Sequence, residues 1–475
     1  MSINSTSTVY KKYFPMWRKC RDIISGEDAV KEAGNLYLPQ PAGMDSEEYK
    51  SYKERAEFFN AAGRTLDGLH GMLFRKPVLI ETDEKYKVYL ENVDGKGNSL
   101  SQFINFCAWD SLQTGFGGVL VDFPQNEKDE VSVLDADMKE LSPYMSFYRA
   151  EDIINLQFGV VGRKQEIILV VLQETYEAEN GDEYTRITKK RYRTLKLIDG
   201  IYVQSLYDES LKEIYMTVPT MNGKPLNKIP FYTLPSTEPE KPMLLDLCNV
   251  NLAWYRKSAD LENGAHWTGV PTPYCIGYEP ETQYNKEGEE VAKDDIKLGG
   301  GTLLALPSGV TSVGYLTFSG SGLNILQSMM TEDENRLAIL GARIISQEKK
   351  GVESAETAKI HRAGENSVLA AFANNLSTVF TRIVSFYIQW CSSMEENPDF
   401  SLKINTDYDV ASMSPAELTA LVSLWQSGGI SKSILFHNLK EGEIVPADVS
   451  LEDMEAEIQE QQSVNVSKTL QDMEE

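Results

Sequence analysis

Residues 244–269, LLDLCNVNLAWYRKSADLENGAHWTG, decide the architecture, because here the chain changes from the period of strands to that of a helix. Leu244, Leu245, Cys248, Leu252, Tyr255 and Ala259 fall on one apolar stripe, with Asn249, Arg256, Asp260 and Asn263 elsewhere around the helix. Gly269, Pro271 and Pro273 end it. Upstream, from about Tyr144 to Pro235, the signals are those of strands. Ile167 to Leu172 is a continuous apolar run, and Tyr184 to Ile198 alternates with charged residues. Asn180-Gly181 and Asp199-Gly200 stand where hairpin turns are expected.

Helical periodicity also fills the two flanks. Asp45, Ser46, Glu47 and Glu48 carry helix-start chemistry, and Tyr49, Tyr52, Ala56, Phe59, Gly63, Leu66, Leu69 and Leu73 continue at three or four residues to Pro77, predicting one helix. A second helical piece covers Phe103 to Leu112. Gly115 to Gly118 then reads as a glycine turn feeding a buried strand, Val119 to Phe123. Downstream, residues 278–299 read as a polar loop, and Gly299–Gly301 and Ser319–Gly322 punctuate a short strand pair. Leu323 to Trp390 is helical in two parts, separated at Lys349-Lys350-Gly351, and shorter helices follow at Ser414–Gln426 and Ser431–Leu439. Residues 440–475 hold eleven acidic side chains against Lys440 and Lys468, which predicts a frayed end.

At 475 residues the chain exceeds what one core usually fills, so two or three structural units are expected. A composition of 41% hydrophobic and 25% charged residues is that of a folded protein. The formal charge of -25 argues against a protein that grips DNA through clustered cations, and suits a surface that lets a polyanion slide past. No apolar run is long enough to span a membrane, and the N-terminal residues lack the apolar stretch of a secretory signal. The five scattered cysteines, without a CxxC pair, read as free thiols of a protein made in the cytosol.

Catalytic constellations are not found. His70, His266, His361 and His437 lie far apart in sequence, no zinc or phosphate-loop spacing occurs, and Asp294-Asp295 and Glu452-Asp453 are isolated acidic doublets. The reading therefore calls for no enzyme activity, no cofactor and no metal. Basic residues cluster once, at Lys189-Lys190-Arg191-Tyr192-Arg193, which is either a nucleic-acid contact or a solvated strand face.

The order of several segments resembles the portal (head-to-tail connector) proteins of tailed bacteriophages, in the branch long catalogued as a domain of unknown function. The segments are Pro15-Met16-Trp17 with Asp22 and Gly26, Tyr37-Leu38-Pro39, Tyr49 to Ala56, Gly71 to Pro77 and Gly115 to Pro124. Ile229-Pro230-Phe231 leading into the 244–267 helix with Tyr255 to Asp260 is the most telling, followed by Thr268 to Pro273, Glu353 to Ala358 and Gly428 to Ser431.

This resemblance implies an α+β portal fold. Its parts would be an N-terminal wing region (1–143), a β-rich region including the clip (144–240) and a stem helix (241–269). Strands with a channel loop (270–322), long wing or crown helices (323–395) and an acidic helical C-terminal region (396–475) would follow. It further implies a homododecameric ring at one capsid vertex of the virion, assembled in the host cytoplasm. Double-stranded DNA would pass through it during packaging and ejection. The implied partners are the terminase large subunit, major capsid and scaffolding proteins and a head–tail adaptor, with no membrane. Arg256, Lys257, Lys286, Lys293 and Lys297 are the candidates for facing DNA in the channel. Another head–tail adaptor or a baseplate component is the alternative.

Overall fold

The computed structural model describes residues 2–124, 142–182, 184–269, 272–277, 282–284, 290–292, 311–316, 320–345, 355–392, 398–406, 408, 415–427, 429–441, 444–445, 449–451 and 454. Helices and antiparallel sheets occupy separate regions, which makes the chain α+β.

The N-terminal part is helical: α1 (Thr8–Ser25), α2 (Glu27–Glu32), α3 (Ser46–Arg55) and α4 (Ala61–Leu73). Ser7 caps α1 by accepting from the Tyr10 N–H, and Asp45 with Glu48 forms a capping box on α3. The helix expected to run from Asp45 to Pro77 is thus two helices. Ala56 turns extended, and Asn60 starts α4 by accepting from the Gly63 N–H. β1 (Leu79–Thr82), α5 (Glu84–Lys87) and α6 (Leu100–Thr114) follow.

Gly115 ends α6 in the left-handed conformation, at φ 70°. Gly117 and Gly118 are not turn residues, because they already lie in β2 (Gly117–Asp122), the central strand of a three-stranded sheet. Its partners are β3 (Tyr144–Arg149) and a later strand at Phe231–Leu234. A Cβ on Gly118 would sit 2.2 Å from the Phe231 ring and one on Gly117 2.9 Å from Phe147, so only glycine leaves room for the aromatic rings folded across this strand.

A five-stranded meander comes next: β4 (Ile153–Val161), β5 (Lys164–Asp182), β6 (Thr185–Ile198), β7 (Ile201–Tyr207) and β8 (Glu213–Thr217). Asp199 and Gly200, both at positive φ, make the two-residue turn between β6 and β7 as expected. The turn expected at Asn180-Gly181 falls later, since β5 runs on to Asp182, which pairs with Thr185 after a register irregularity. The two-residue strands β9 (Thr220–Met221) and β10 (Lys224–Pro225) precede β11 (Phe231–Leu234), already placed beside β2.

The remaining long elements are α7 (Leu245–Gly269), α8 (Leu323–Ile345) and α9 (Ala355–Cys391). Between α7 and α8, β12 (Thr272–Ile276) pairs with β15 (Ser312–Leu316), and β13 (Thr282–Tyr284) with β14 (Glu290–Ala292). The stretch expected as a loop at 278–299 therefore contains a short antiparallel pair. β16 (Phe400–Lys403) pairs with β1, tying the segment after α9 to the N-terminal helical part, and α10 (Pro415–Gln426) and α11 (Lys432–Glu441) follow. The Lys349-Lys350-Gly351 break, and all of residues 440–475 except 440–441, 444–445, 449–451 and 454, lie outside the described residues.

One contiguous core joins α1, α4, α6, α7, α9 and the three-stranded sheet. Trp17 is 1% exposed and stacks on Phe116 with ring centroids 6.1 Å apart, while Tyr255 and Tyr387 are fully enclosed. Each such side chain contributes about 1.5–3 kcal/mol by leaving water. Cys20, Cys107 and Cys248 are free thiols inside this core, and Cys391 is a half-buried one.

Candidate functional site

The helix that decides the fold is also its hub. On one side of α7, Asn249, Arg256, Asp260 and Asn263 recur at helical spacing, and each is bonded to the N-terminal segment. Lys19 donates to Asn249 at 3.1 Å, and Arg256 Nε donates to the Tyr37 carbonyl at 2.7 Å. The Tyr52 hydroxyl donates to Asp260 at 2.6 Å, and Arg55 to Asn263 at 3.1 Å. Two buried polar residues secure the break between α3 and α4. The Ser258 hydroxyl accepts from the Glu57 N–H, while the Asn251 amide accepts from Ala62 and donates to Phe59 O.

On its other side α7 meets α8. Thr268 lies beside Gly320 and Gly264 beside Leu323, while Lys257 pairs with Asp333 and Trp254 donates to Glu334 at 3.0 Å. Numbers falling along α7 match numbers rising along α8, so the two helices run antiparallel. α8 buries Met330, Asp333 and Leu337 and turns a second stripe outward. That stripe is Ile325, Met329, Glu332, Arg336 and Ile339, spaced alternately four and three residues, with Ile325 65%, Met329 44% and Ile339 47% exposed. Such spacing is that of a coiled-coil seam, interrupted at its centre by the Glu332–Arg336 ion pair.

Two buried ion clusters brace the body behind these helices. Arg21 of α1 grips Asp110 of α6 bidentately at 2.8 and 2.9 Å and reaches Glu151 at 2.5 Å, while Arg149 lies 3.3 Å from Asp110. In the second cluster Arg193 and Arg191 of β6 each hold Glu174 of β5 at 2.6 Å, and Tyr148 donates to the same carboxylate. Arg193 also lies 3.3 Å from Asp122, which accepts from Gln204. Burial disfavours the Glu174 anion, but Arg193 and its other donors outweigh it and hold the group below its usual range. Asp122, paired less closely, is pushed up by burial.

A cleft of about 460 Å³ opens beside the first cluster, lined by Phe14, Arg18, Arg149, Asp152 and Thr175 among others. Burial, and then the neighbouring Glu151, pushes Asp152 up to about 6. The folded chain therefore holds more protons than the unfolded chain between about pH 4 and 6, so stability from this group falls as pH rises through that window. Asp152→Asn is expected to remove the slope. It should match the parent near pH 4 and exceed it by on the order of 1 kcal/mol at pH 7.5, after allowance for partial exposure. Denaturant unfolding at the two pH values measures this.

Among the described residues, the bases singled out from sequence are drawn largely into bonds within the chain. Arg256 is exposed but anchored to Tyr37, and Lys257 is paired with Asp333 inside the chain. Lys286, Lys293 and Lys297 lie outside the described residues. In the basic strand, Arg191 and Arg193 turn to Glu174 while Tyr192 packs with Ile154 and Val171 on the opposite face, and Lys189 and Lys190 are exposed. Sequence reasoning misses Asp110, Glu174 and Asn251. A signal for Asp110 and Asn251 does exist, since each falls on an apolar helical stripe: Asp110 with Phe103 and Cys107, Asn251 with Cys248 and Tyr255.

Comparison with known proteins points first to a family. Residues 243–391, which contain α7, α8 and all of α9, match the sequence profile of a family described as Domain of unknown function (DUF4055). Among solved structures, the chain is similar to one from the neck of an empty GTA particle computed with C6 symmetry. The identity is 11%, the coverage 89% of this chain and 100% of that one, and the TM-score 0.36. No curated protein matches the chain.

Proposed function

We propose that this chain is a structural subunit of the head–neck assembly of a tailed phage particle and, within that class, the portal protein. It would form a ring of twelve copies at one capsid vertex and would pass double-stranded DNA. The observation that carries the reading is the α7–α8 pair, because α8 presents a stripe of heptad spacing that the described residues leave open. The stripe is apolar at Ile325, Met329 and Ile339 and ion-paired between them at Glu332 and Arg336. A neighbouring copy covers such a stripe. The charge of -25 supports the same reading, since a bore lined by many copies of an acidic chain repels phosphates and keeps DNA moving.

In this reading the terminase large subunit and the head–tail adaptor dock at the outward end of the ring, and the capsid and scaffolding proteins meet its flank. Two β-rich pieces are candidates for the outward end: the 144–240 region and the hairpins between α7 and α8. No catalytic step is assigned to the chain. The test is light scattering with negative-stain imaging of the purified protein. A closed ring near twelve times the 53.3 kDa chain, with a hole about as wide as duplex DNA, is the expected result. A closed dimer or an open filament would overturn it.

A further inference from the structure

The β5–β6 hairpin outgrows the sheet it belongs to. β4 accompanies β5 only as far as Leu172, and β7 accompanies β6 only from Tyr192 onward. The pairs from Glu174↔Arg191 to Asp182↔Thr185 therefore have no third strand beside them among the described residues. At roughly 3.4 Å per residue this two-stranded arm is about 30 Å long. Both of its edges present unpaired backbone groups, and a lone two-stranded ribbon is at best marginally stable in water.

The charges on the arm are sorted by strand. From Leu172 to Asp182, β5 carries Glu174, Glu177, Glu179 and Asp182 and no base, whereas from Thr185 to Arg193, β6 carries five bases and no acid. Glu174 is consumed at the base of the arm by Arg191 and Arg193. Further out, Glu177 lies opposite Thr188, Glu179 opposite Arg186 and Thr175 opposite Lys190, so by the two-residue alternation these positions share one face. Glu177, Arg186 and Lys190 are all exposed. One edge strand is acidic and the other basic.

We infer that the arm pairs edge to edge with the arm of a second copy of this chain, the basic β6 of one subunit lying against the acidic β5 of the next. This rests on the ring reading and adds to it the element that joins neighbours. In a ring all arms point the same way, so β6 of one copy runs antiparallel to β5 of its neighbour. The contact is head-to-tail, as ring closure demands, and each basic strand comes to lie between two acidic ones. Cross-strand pairs of opposite charge then select the correct neighbour. A β6–β6 or β5–β5 contact would place like charges opposite each other.

The test uses the full chain and two double charge reversals along the arm. Along the positions that alternate with Glu177, Arg186→Glu with Lys190→Glu leaves only acids on both strands, and Glu177→Lys with Glu179→Lys leaves only bases. Each variant alone should keep the parent's thermal unfolding, yet need about tenfold or more protein to form rings. A one-to-one mixture should restore assembly, because acidic and basic arms can then alternate. Parent rings with both variants assembling normally would overturn the arm contact and leave the ring reading standing. A parent chain that stays monomeric would overturn both. Variants that keep their rings but release duplex DNA would also overturn it, assigning the basic strand to nucleic acid.

Discussion

Asp110→Ala is expected to destabilise the chain by about 3–5 kcal/mol, the cost of breaking a buried ion pair from one side. Asp110 is 0% exposed and sits in the middle of α6. Its two oxygens take both terminal nitrogens of Arg21 on α1, and Arg149 at the end of β3 approaches within 3.3 Å. One carboxylate thus joins a helix, a second helix and a sheet that are far apart in sequence. Alanine would leave the Arg21 guanidinium, whose side chain is 18% exposed, with Glu151 as its remaining acid. Replacing Arg21 and Asp110 together by Leu and Met should cost less than Asp110→Ala alone, because the buried carboxylate and its main partner leave together. Glu151 and Arg149 stay behind, where both are partly exposed. Urea unfolding of the two single variants and the double variant measures the coupling. A single-variant loss below about 1 kcal/mol would show that water reaches and satisfies the site.

The fold class was legible because period is a local property. The stripe from Leu245 to Ala259, the alternation of β6 and the Asp199-Gly200 turn each state their structure within a short stretch of chain. What the sequence could not state locally were choices settled by distant partners. Gly117 and Gly118 look like turn residues until Phe147 and Phe231 arrive from other strands to occupy the space a side chain would need. Asn180-Gly181 is a good turn signal that lost to the ladder, since β5 gains one further pair, Asp182↔Thr185, by running on to Asp182. The candidate site was legible in part. The polar residues of α7 are visible in the sequence, but their roles as latches depend on Tyr37, Tyr52 and Arg55, far earlier in the chain. Lys257, a candidate for facing DNA by resemblance alone, pairs with Asp333, a partner 76 residues away that no local pattern announces.

The break between α3 and α4 shows the same dependence and gives the second large effect. Spacing alone carries the helical pattern through Ala56, Phe59 and Gly63, and nothing in that stretch forbids a helix. The chain breaks because α7 offers better partners to its backbone than helix continuation would. Asn251, 0% exposed, accepts from the Ala62 N–H at 3.2 Å and donates to the Phe59 carbonyl at 2.9 Å, doing for α4 part of what a cap does. Asn251→Leu keeps the volume and removes both bonds, leaving the buried Ala62 N–H stranded, while the Phe59 carbonyl still accepts from the Ala61 N–H at 2.8 Å. At about 1–3 kcal/mol for the stranded donor and about 1 kcal/mol for the bond lost at the carbonyl, the expected loss is about 2–4 kcal/mol. Stability alone would not separate this from a packing fault, so the decisive reading is local. Hydrogen exchange at the Ala62 amide should accelerate more than exchange at Leu69, which is further along α4 and keeps its helical bond. Equal acceleration at both positions would mean that Asn251 supports the core as a whole. Selective acceleration at Ala62 would mean that α7 sets where the N-terminal helices end, and so fixes the surface that those helices present.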